Sequence, residues 1–261
     1  MSAIRWRDIV ITIATVVTVA LAWEVIVRLF NVPLFLVPPP SRIFDEMAQR
    51  PELYATHTWV TLVETLLGFL LATVFGIAIG ILIVYSRLLQ GILYPVVVVL
   101  QIVPKIAVAP LLLIWLGYGL QSKLMVALLV AFFPIVVTTV SGLRAVESDL
   151  LDLVRVLKGG RWQEFAKVRF PYALPFIFSG LKVAITLAVI GAIIGEFVGS
   201  NSGLGYLVIA ANAELRTPMS FAALLLLSVL GLGLFGLIVA IERLVIPWGV
   251  TEEEPLPVTG A

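Results

Sequence analysis

Six ionisable side chains stand in stretches of this chain that are otherwise apolar: Glu24 with Arg28, and Glu64, Lys105, Lys182 and Glu196. A charge at the centre of a bilayer costs at least about 2.5–3.5 kcal/mol, so each needs a partner, a wet cavity or a route to the headgroups. The chemistry open to them is proton or cation binding, a polar path for a solute, or an ion pair between packed helices. Glu24 and Arg28 are four residues apart and read as a local pair near a membrane boundary. Glu64 and Lys105 have opposite signs and similar expected depth, so they either neutralise one another or line a path. Lys182 can snorkel to the near surface, and Glu196 can reach the headgroups from the end of its stretch. Pro104 immediately precedes Lys105, and Pro110 follows five residues later. Each proline removes a backbone donor, and the freed carbonyls must face protein or a water-lined cavity. Such a bend suits a gate, and it also occurs in packed helices that never move.

Catalytic chemistry has a narrow basis. There is no GxxxxGK[ST] to cradle a nucleotide, no HExxH, no Cys and a single His, His57. No metal centre and no cofactor is expected. A net charge of +1 offers nothing to nucleic acid.

The densest cluster of polar residues is DLVRVLKGGRWQEFAKVRFPYALP, from Asp152 to Pro175. Leu150, Leu153, Val154 and Leu157 are spaced as one face of a helix. Gly159-Gly160 is expected to break that helix. A second short helix is expected from about Arg161 to Val168, with Trp162, Phe165 and Ala166 on one face. Pro171 and Pro175 are expected to stop it and start the next apolar stretch. Two amphipathic helices at a glycine elbow make a knob that a groove on another protein can receive. The alternative is a hairpin lying on anionic headgroups.

The elements around these residues are set by composition. Hydrophobic residues make up 61% of the 261 and charged residues 13%, with a mean hydropathy of +1.13. A soluble domain is nearer 45–50% apolar and about 25% charged, so the solvent of this chain is lipid. Six stretches are long enough to span: about Ile9–Phe30, Thr58–Tyr85, Ile92–Leu116, Leu124–Leu143, Leu174–Val198 and Phe221–Ile246. The first reads as a retained span rather than a cleaved signal. With the N-terminus inside, ten Lys and Arg lie on the cytoplasmic side (Arg5, Arg7 and Arg155 among them) and five outside, Lys123 among these. Both termini are then cytoplasmic. Between the first two stretches, the chain is either a plain loop or a short interfacial helix with Ser41 as its N-cap, carrying Ile43, Phe44 and Met47. Gly117-Tyr118-Gly119 reads as a tight outer turn, and Asn201–Gly205 opens the last outer loop. Gly76 and Gly80, and Gly191, Gly195 and Gly199, repeat at four-residue spacing for close helix contact, within the chain or at a dimer seam. The acidic tail 251–261 is expected to be disordered. No internal repeat is visible. The organisation expected is one all-α, polytopic membrane domain over residues 1–261, with a cytoplasmic loop at about 145–173.

The loop also resembles the EAA loop of binding-protein-dependent ABC importer permeases. That pattern runs EAA, three residues, Gly, nine residues, Ile, one residue, Leu-Pro. Asp152-Leu153-Val154 falls on EAA, Lys158 on the Gly, Val168 on the Ile and Phe170-Pro171 on Leu-Pro. Lys158 departs from the pattern, and the elbow is expected to shift to Gly159. The resemblance extends to Val37–Ser41, Pro104–Leu111, Phe132–Ile135 and Gly199–Gly205, which look like the branch importing nitrate, sulfonates, taurine, thiamine-precursor pyrimidines, riboflavin or aromatic acids. It implies a type I importer permease with six transmembrane helices, multi-pass in the inner membrane of a prokaryote. It implies a homodimer on two ABC ATPase subunits, fed by a soluble or lipid-anchored substrate-binding protein, with nucleotide hydrolysis left to the ATPases. Asp152, Arg155, Gly159, Gly160, Trp162, Phe165 and Pro171 would meet the ATPase. Glu64, Pro104, Lys105 and Glu196 are the pathway or gate candidates for a small polar organic or anionic solute moved by alternating access. The wording of the third stretch points to an aromatic or heterocyclic one. The rival readings are an ion-coupled secondary transporter using Glu64 or Glu196, which inverted repeats would favour, and a membrane scaffold.

Overall fold

A run of 24 residues from Trp6 to Leu29 forms α1, apolar nearly all round, as a helix in lipid must be. The computed structural model describes residues 6–248, with the side chains of 6–9 and of Arg155 outside the description. The expected tail 251–261, Arg5 and the side chains of Arg7 and Arg155 therefore lie outside the described residues. All regular elements described are helical: α2 Pro40–Gln49, α3 Pro51–Tyr85, α4 Arg87–Ile102, α5 Lys105–Leu116, α6 Leu120–Arg144, α7 Ser148–Val156, α8 Arg161–Glu164, a π-helical turn Phe165–Arg169, α9 Phe170–Gly199, α10 Leu204–Ala213 and α11 Thr217–Val245. Five runs are long and apolar enough to span, and a sixth span results if α4 and α5 count as one.

The bend expected at the prolines of the third stretch falls at Pro104 and divides that stretch into two helices. α4 and α5 are separate helices bent by 102° at Val103-Pro104. Pro104 has no N–H to continue α4, and its extended backbone makes it the N-cap of α5. Pro110 and Pro95 are by contrast carried inside helices. Ser41 is corrected. Pro39 caps α2 and Pro40 takes its first turn, where a missing N–H costs nothing, so Ser41 lies inside the helix.

The described residues divide into two compact units, 6–63 with 196–230, and 64–195 with 231–248. In the second unit α6 is the buried axis. Glu64, Gly68, Gly76 and Gly80 of α3 meet Lys123, Ala127, Ile135 and Thr139 of α6 at the constant offset of 59 residues. The two helices therefore run parallel in one register. Gly180, Gly191 and Gly195 of α9 meet Thr138, Ala127 and Lys123 of α6, numbers falling as the others rise, so α9 is antiparallel to it. Small residues at each crossing let backbones approach where lipid supplies no hydrophobic drive between helices. Gly76, Gly80, Gly191 and Gly195 thus serve packing within the chain. A Cβ on Gly191 would stand 2.6 Å from Ala127 Cα, a backbone atom that cannot turn aside. Gly191→Ala is expected to cost more than the usual ~1–3 kcal/mol of overpacking and to collapse the purified yield. Gly231→Ala, with open space around it, is expected to leave the yield unchanged.

Candidate functional site

Elbow geometry organises the loop between α6 and α9. α7 ends at Val156; the Leu157 N–H after it bonds to Leu153 O at 3.0 Å, and Lys158 turns left-handed with φ 55°. The Gly159 N–H then reaches back five residues to Val154 O at 2.9 Å, the bond that closes a Schellman cap. The turn is therefore at Lys158, the position the family pattern gives to glycine, and not shifted to Gly159. Gly159 is required for another reason: a Cβ there would overlap Val154 at 2.6 Å. A lysine in this conformation carries a strain of about 1–2 kcal/mol. Lys158→Gly is accordingly expected to raise the midpoint of thermal unfolding.

Gly160 opens the second helix, with its N–H donating to Gln163 Oε1 at 2.9 Å. The two prolines do not stop this helix. α8, the π-turn and α9 form one 39-residue run from Arg161 to Gly199. The wider π-turn, in which Phe170 N–H bonds to Phe165 O, precedes Pro171 and lets the chain pass into α9 without a break. Phe165 faces inward, edge-on to Tyr85 of α3 at 5.5 Å and 5.6 Å from Phe170. Trp162, 5.7 Å from Phe165, points outward and is 75% exposed. Leu153, Val156 and Leu157 are exposed as well, whereas Val154 is half-buried. Asp152 and Gly160 are exposed, and Gly159 and Pro171 are half-buried.

Arg169 ties this knob to the span before it. Its Nε pairs with Glu164 Oε1 at 2.6 Å, and its NH1 donates to Leu143 O at 3.0 Å, one of the open carbonyls ending α6. The sequence reading missed Arg169 and Glu164, though their five-residue spacing on a basic helix is visible.

The buried charges sort differently from expectation. Glu64 pairs with Lys123, Nζ to Oε1 2.6 Å, and both are nearly sealed. Lys123 is thus an interior residue of α6 rather than an outer-loop charge; Gly195 opposite leaves room for it. Lys105 is half-buried, bonds to Gln101 O at the end of α4, and places its ammonium 5.0 Å over the Phe133 ring. A cation there compensates the negative end of α4 left by the Pro104 break. Lys182 meets Glu242 at 3.0 Å.

In the other unit Glu196 is 1% exposed, so it does not reach the headgroups. Its carboxylate accepts from Thr61 Oγ1 at 2.6 Å and from Gly205 N–H at 2.5 Å, at the positive end of α10. Leu204 N–H donates to Thr61 Oγ1 at 2.8 Å, and Gly203 N–H to His57 Nδ1 at 2.9 Å. Gly203 has φ 104°, and any Cβ on it would overlap the Glu196 carboxyl. Glu24 works in the same way on α2: it pairs with Arg28, as expected, and also takes Ser41 N–H at 3.0 Å and Ser41 Oγ at 2.8 Å.

Among the described residues no cluster of His, Asp and Glu could hold a metal. The family described as "binding-protein-dependent transport system inner membrane component" matches residues 72–247. A Haemophilus influenzae protein named a probable ABC transporter permease is 39% identical over 213 residues, 82% of this chain and 87% of the relative. The riboflavin transport system permease protein of Chloroflexus aurantiacus is 36% identical over 90% of this chain and 88% of its own. The formylaminopyrimidine transport permease protein of Halalkalibacterium halodurans is 35% identical over 87% and 90%. The fold is that of the solved methionine ABC transporter MetNI in an inward-facing conformation, at 21% identity and a TM-score of 0.63, covering 78% of this chain and 99% of that one. These matches select the permease over the ion-coupled transporter and the scaffold. The chain belongs to the binding-protein-dependent inner membrane components: it is a multi-pass, all-helical permease of an ABC importer.

Proposed function

We propose that two copies of this chain form the pathway of a prokaryotic importer, each copy resting its 145–173 loop on an ABC ATPase in the cytoplasm. The ATPases hydrolyse the nucleotide, and a soluble or lipid-anchored binding protein delivers the solute from outside. The carrying observation is the outward apolar face of Leu153, Val156, Leu157 and Trp162 on a knob fixed to the spans by Arg169. An ATPase groove that receives Trp162 would turn its own movement into tilting of α9, because the run from Arg161 to Gly199 has no break. Asp152, Arg155, Gly159, Gly160, Phe165 and Pro171 complete this coupling element. Of the pathway candidates, we keep Pro104 and Lys105, at the broken span. Glu64 and Glu196 we assign to holding helices, given their buried partners. The riboflavin and formylaminopyrimidine relatives favour a heterocyclic cargo with polar or anionic substituents.

Single cysteines test the arrangement cleanly, since the chain has none of its own. Arg161→Cys is expected to react with an impermeant maleimide only in inverted vesicles, and to be protected once the ATPase is bound. Asn201→Cys is expected to react in intact cells. Labelling of position 161 from outside would overturn the orientation, and equal labelling with and without ATPase would overturn the docking.

A further inference from the structure

His57 is the single histidine of the chain, half-buried on the second turn of α3 in the first unit. Its ring meets the loop that joins α9 to α10. Three consecutive backbone N–H groups of that loop are each taken by a side chain. Gly203 donates to His57 Nδ1 at 2.9 Å, Leu204 to Thr61 Oγ1 at 2.8 Å and Gly205 to Glu196 Oε2 at 2.5 Å. Thr61 does not titrate, and Glu196 is sealed at 1% exposed. His57 alone is open to solvent and basic at the accepting atom. Nδ1 accepts the Gly203 N–H only while it carries no proton. Gly203 O lies 3.1 Å from the same nitrogen. A protonated Nδ1 must donate, and that carbonyl is within its reach, while the Gly203 N–H, on a buried residue, loses its acceptor. The two arrangements exclude each other, and the proton decides between them.

We propose that His57 is a proton-operated latch: neutral, it holds the α9–α10 loop against α3, and protonated, it turns the Gly203 peptide and loosens that loop. The surroundings tolerate the charged ring. Tyr206 of α10 lies 5.9 Å away ring to ring and 16° from parallel, within the range of a cation–π contact. Glu196 of α9 is beside Gly203, where any Cβ would overlap its carboxyl, and a negative charge there favours an imidazolium. On α3 itself Tyr54 is one turn earlier, and Glu64, two turns later, is engaged by Lys123. The loop also keeps a turn of its own, Ser202 N–H donating to Ser200 Oγ at 3.1 Å, so it can move without unravelling. Histidine changes charge between about pH 5 and 8, so the latch is closed above that window and opens as the pH falls through it. In the orientation proposed above the loop faces outside, and the pH sensed is the outer one. That placement rests on the proposed function; the latch rests only on contacts within the first unit.

The test uses the full chain in detergent, purified without a histidine tag, so that nitrogen-15 histidine reports His57 alone. It needs neither ATPase nor binding protein, and so fails or succeeds apart from the importer reading. At about pH 8.5 the neutral ring is expected to carry its proton on Nε2, because Nδ1 accepts. A nitroxide on Asn201→Cys, at an exposed position in a chain with no other cysteine, is expected to be held at that pH. On acidification to about pH 5 the nitroxide is expected to become mobile with the same midpoint as the ring titration. His57→Asn puts a non-titrating oxygen where Nδ1 stands and is expected to hold the loop at both pH values. His57→Ala is expected to leave it mobile at both. A neutral ring protonated on Nδ1, a ring that stays neutral throughout, or a titration that leaves the nitroxide unchanged would overturn the proposal. So would a loop that still loosens on acidification in His57→Asn, since Glu196 would then be the titrating group.

Discussion

Glu64→Leu alone is expected to abolish recovery of folded chain, while Glu64→Leu combined with Lys123→Met restores it. Glu64 is 2% and Lys123 7% exposed, and they meet at 2.6 Å where α3 and α6 run in register. Removing one partner leaves an uncompensated buried charge, at a cost of about 3–5 kcal/mol. That is a large part of the ~5–15 kcal/mol by which a folded domain is stable. Replacing both charges with apolar side chains of similar size is often neutral or better. Recovery and monodispersity in mild detergent report the outcome. The double variant should also transport, since the pair is assigned to holding helices. A Glu64→Leu single variant recovered at native yield would remove the pair from the account, and a well-folded double variant without transport would return Glu64 to the pathway.

The second large effect is expected at the knob. Trp162→Ala should weaken capture of the ATPase by about 2 kcal/mol or more, roughly thirtyfold in affinity, because a protruding aromatic is the usual anchor of such a contact. Folding should be untouched, as the indole is 75% exposed. Gly159→Pro acts at a different step. It deletes the N–H that closes the cap on Val154 O and so opens the elbow. Insertion in the membrane should persist, while stimulation of ATP hydrolysis by the loaded binding protein is lost. Normal ATPase capture by Trp162→Ala would mean that the knob rests on lipid instead.

Most of the architecture was legible because lipid imposes a simple rule. Long apolar runs of about 20 residues must be helices, and five of the expected stretches are each one helix over most of their length. The third was legible as bent, but not at which proline, since Pro104 and Pro110 look alike in sequence. Only the first ends a helix; Pro110 sits inside α5. Lys158 shows how a family position outlasts its residue: the left-handed turn stays where a glycine would be, although the side chain disfavours it. Partners of the buried charges were the least legible part. Lys123 stands just before the expected start of the fourth stretch at Leu124 and counted as an outer charge, yet the offset of 59 residues that seats Gly68, Gly76 and Gly80 also places it on Glu64. Such an offset is a tertiary fact with no local signature. The capping of α10 by Glu196 and Thr61, and of α2 by Glu24, was hidden for the same reason, because each carboxylate lies on one helix and serves the N-terminus of another.

The central claim is that this chain conducts a solute only when ATP is hydrolysed beneath its 145–173 loop. The most direct measurement is uptake into proteoliposomes holding this chain with its partner ABC ATPase and binding protein, using a labelled solute that the binding protein retains. ATP enclosed on the side of the loop is predicted to drive accumulation, ATP on the opposite side is predicted to drive none, and a proton or sodium gradient without ATP is predicted to drive none. Accumulation driven by an ion gradient in the absence of ATP would contradict the account.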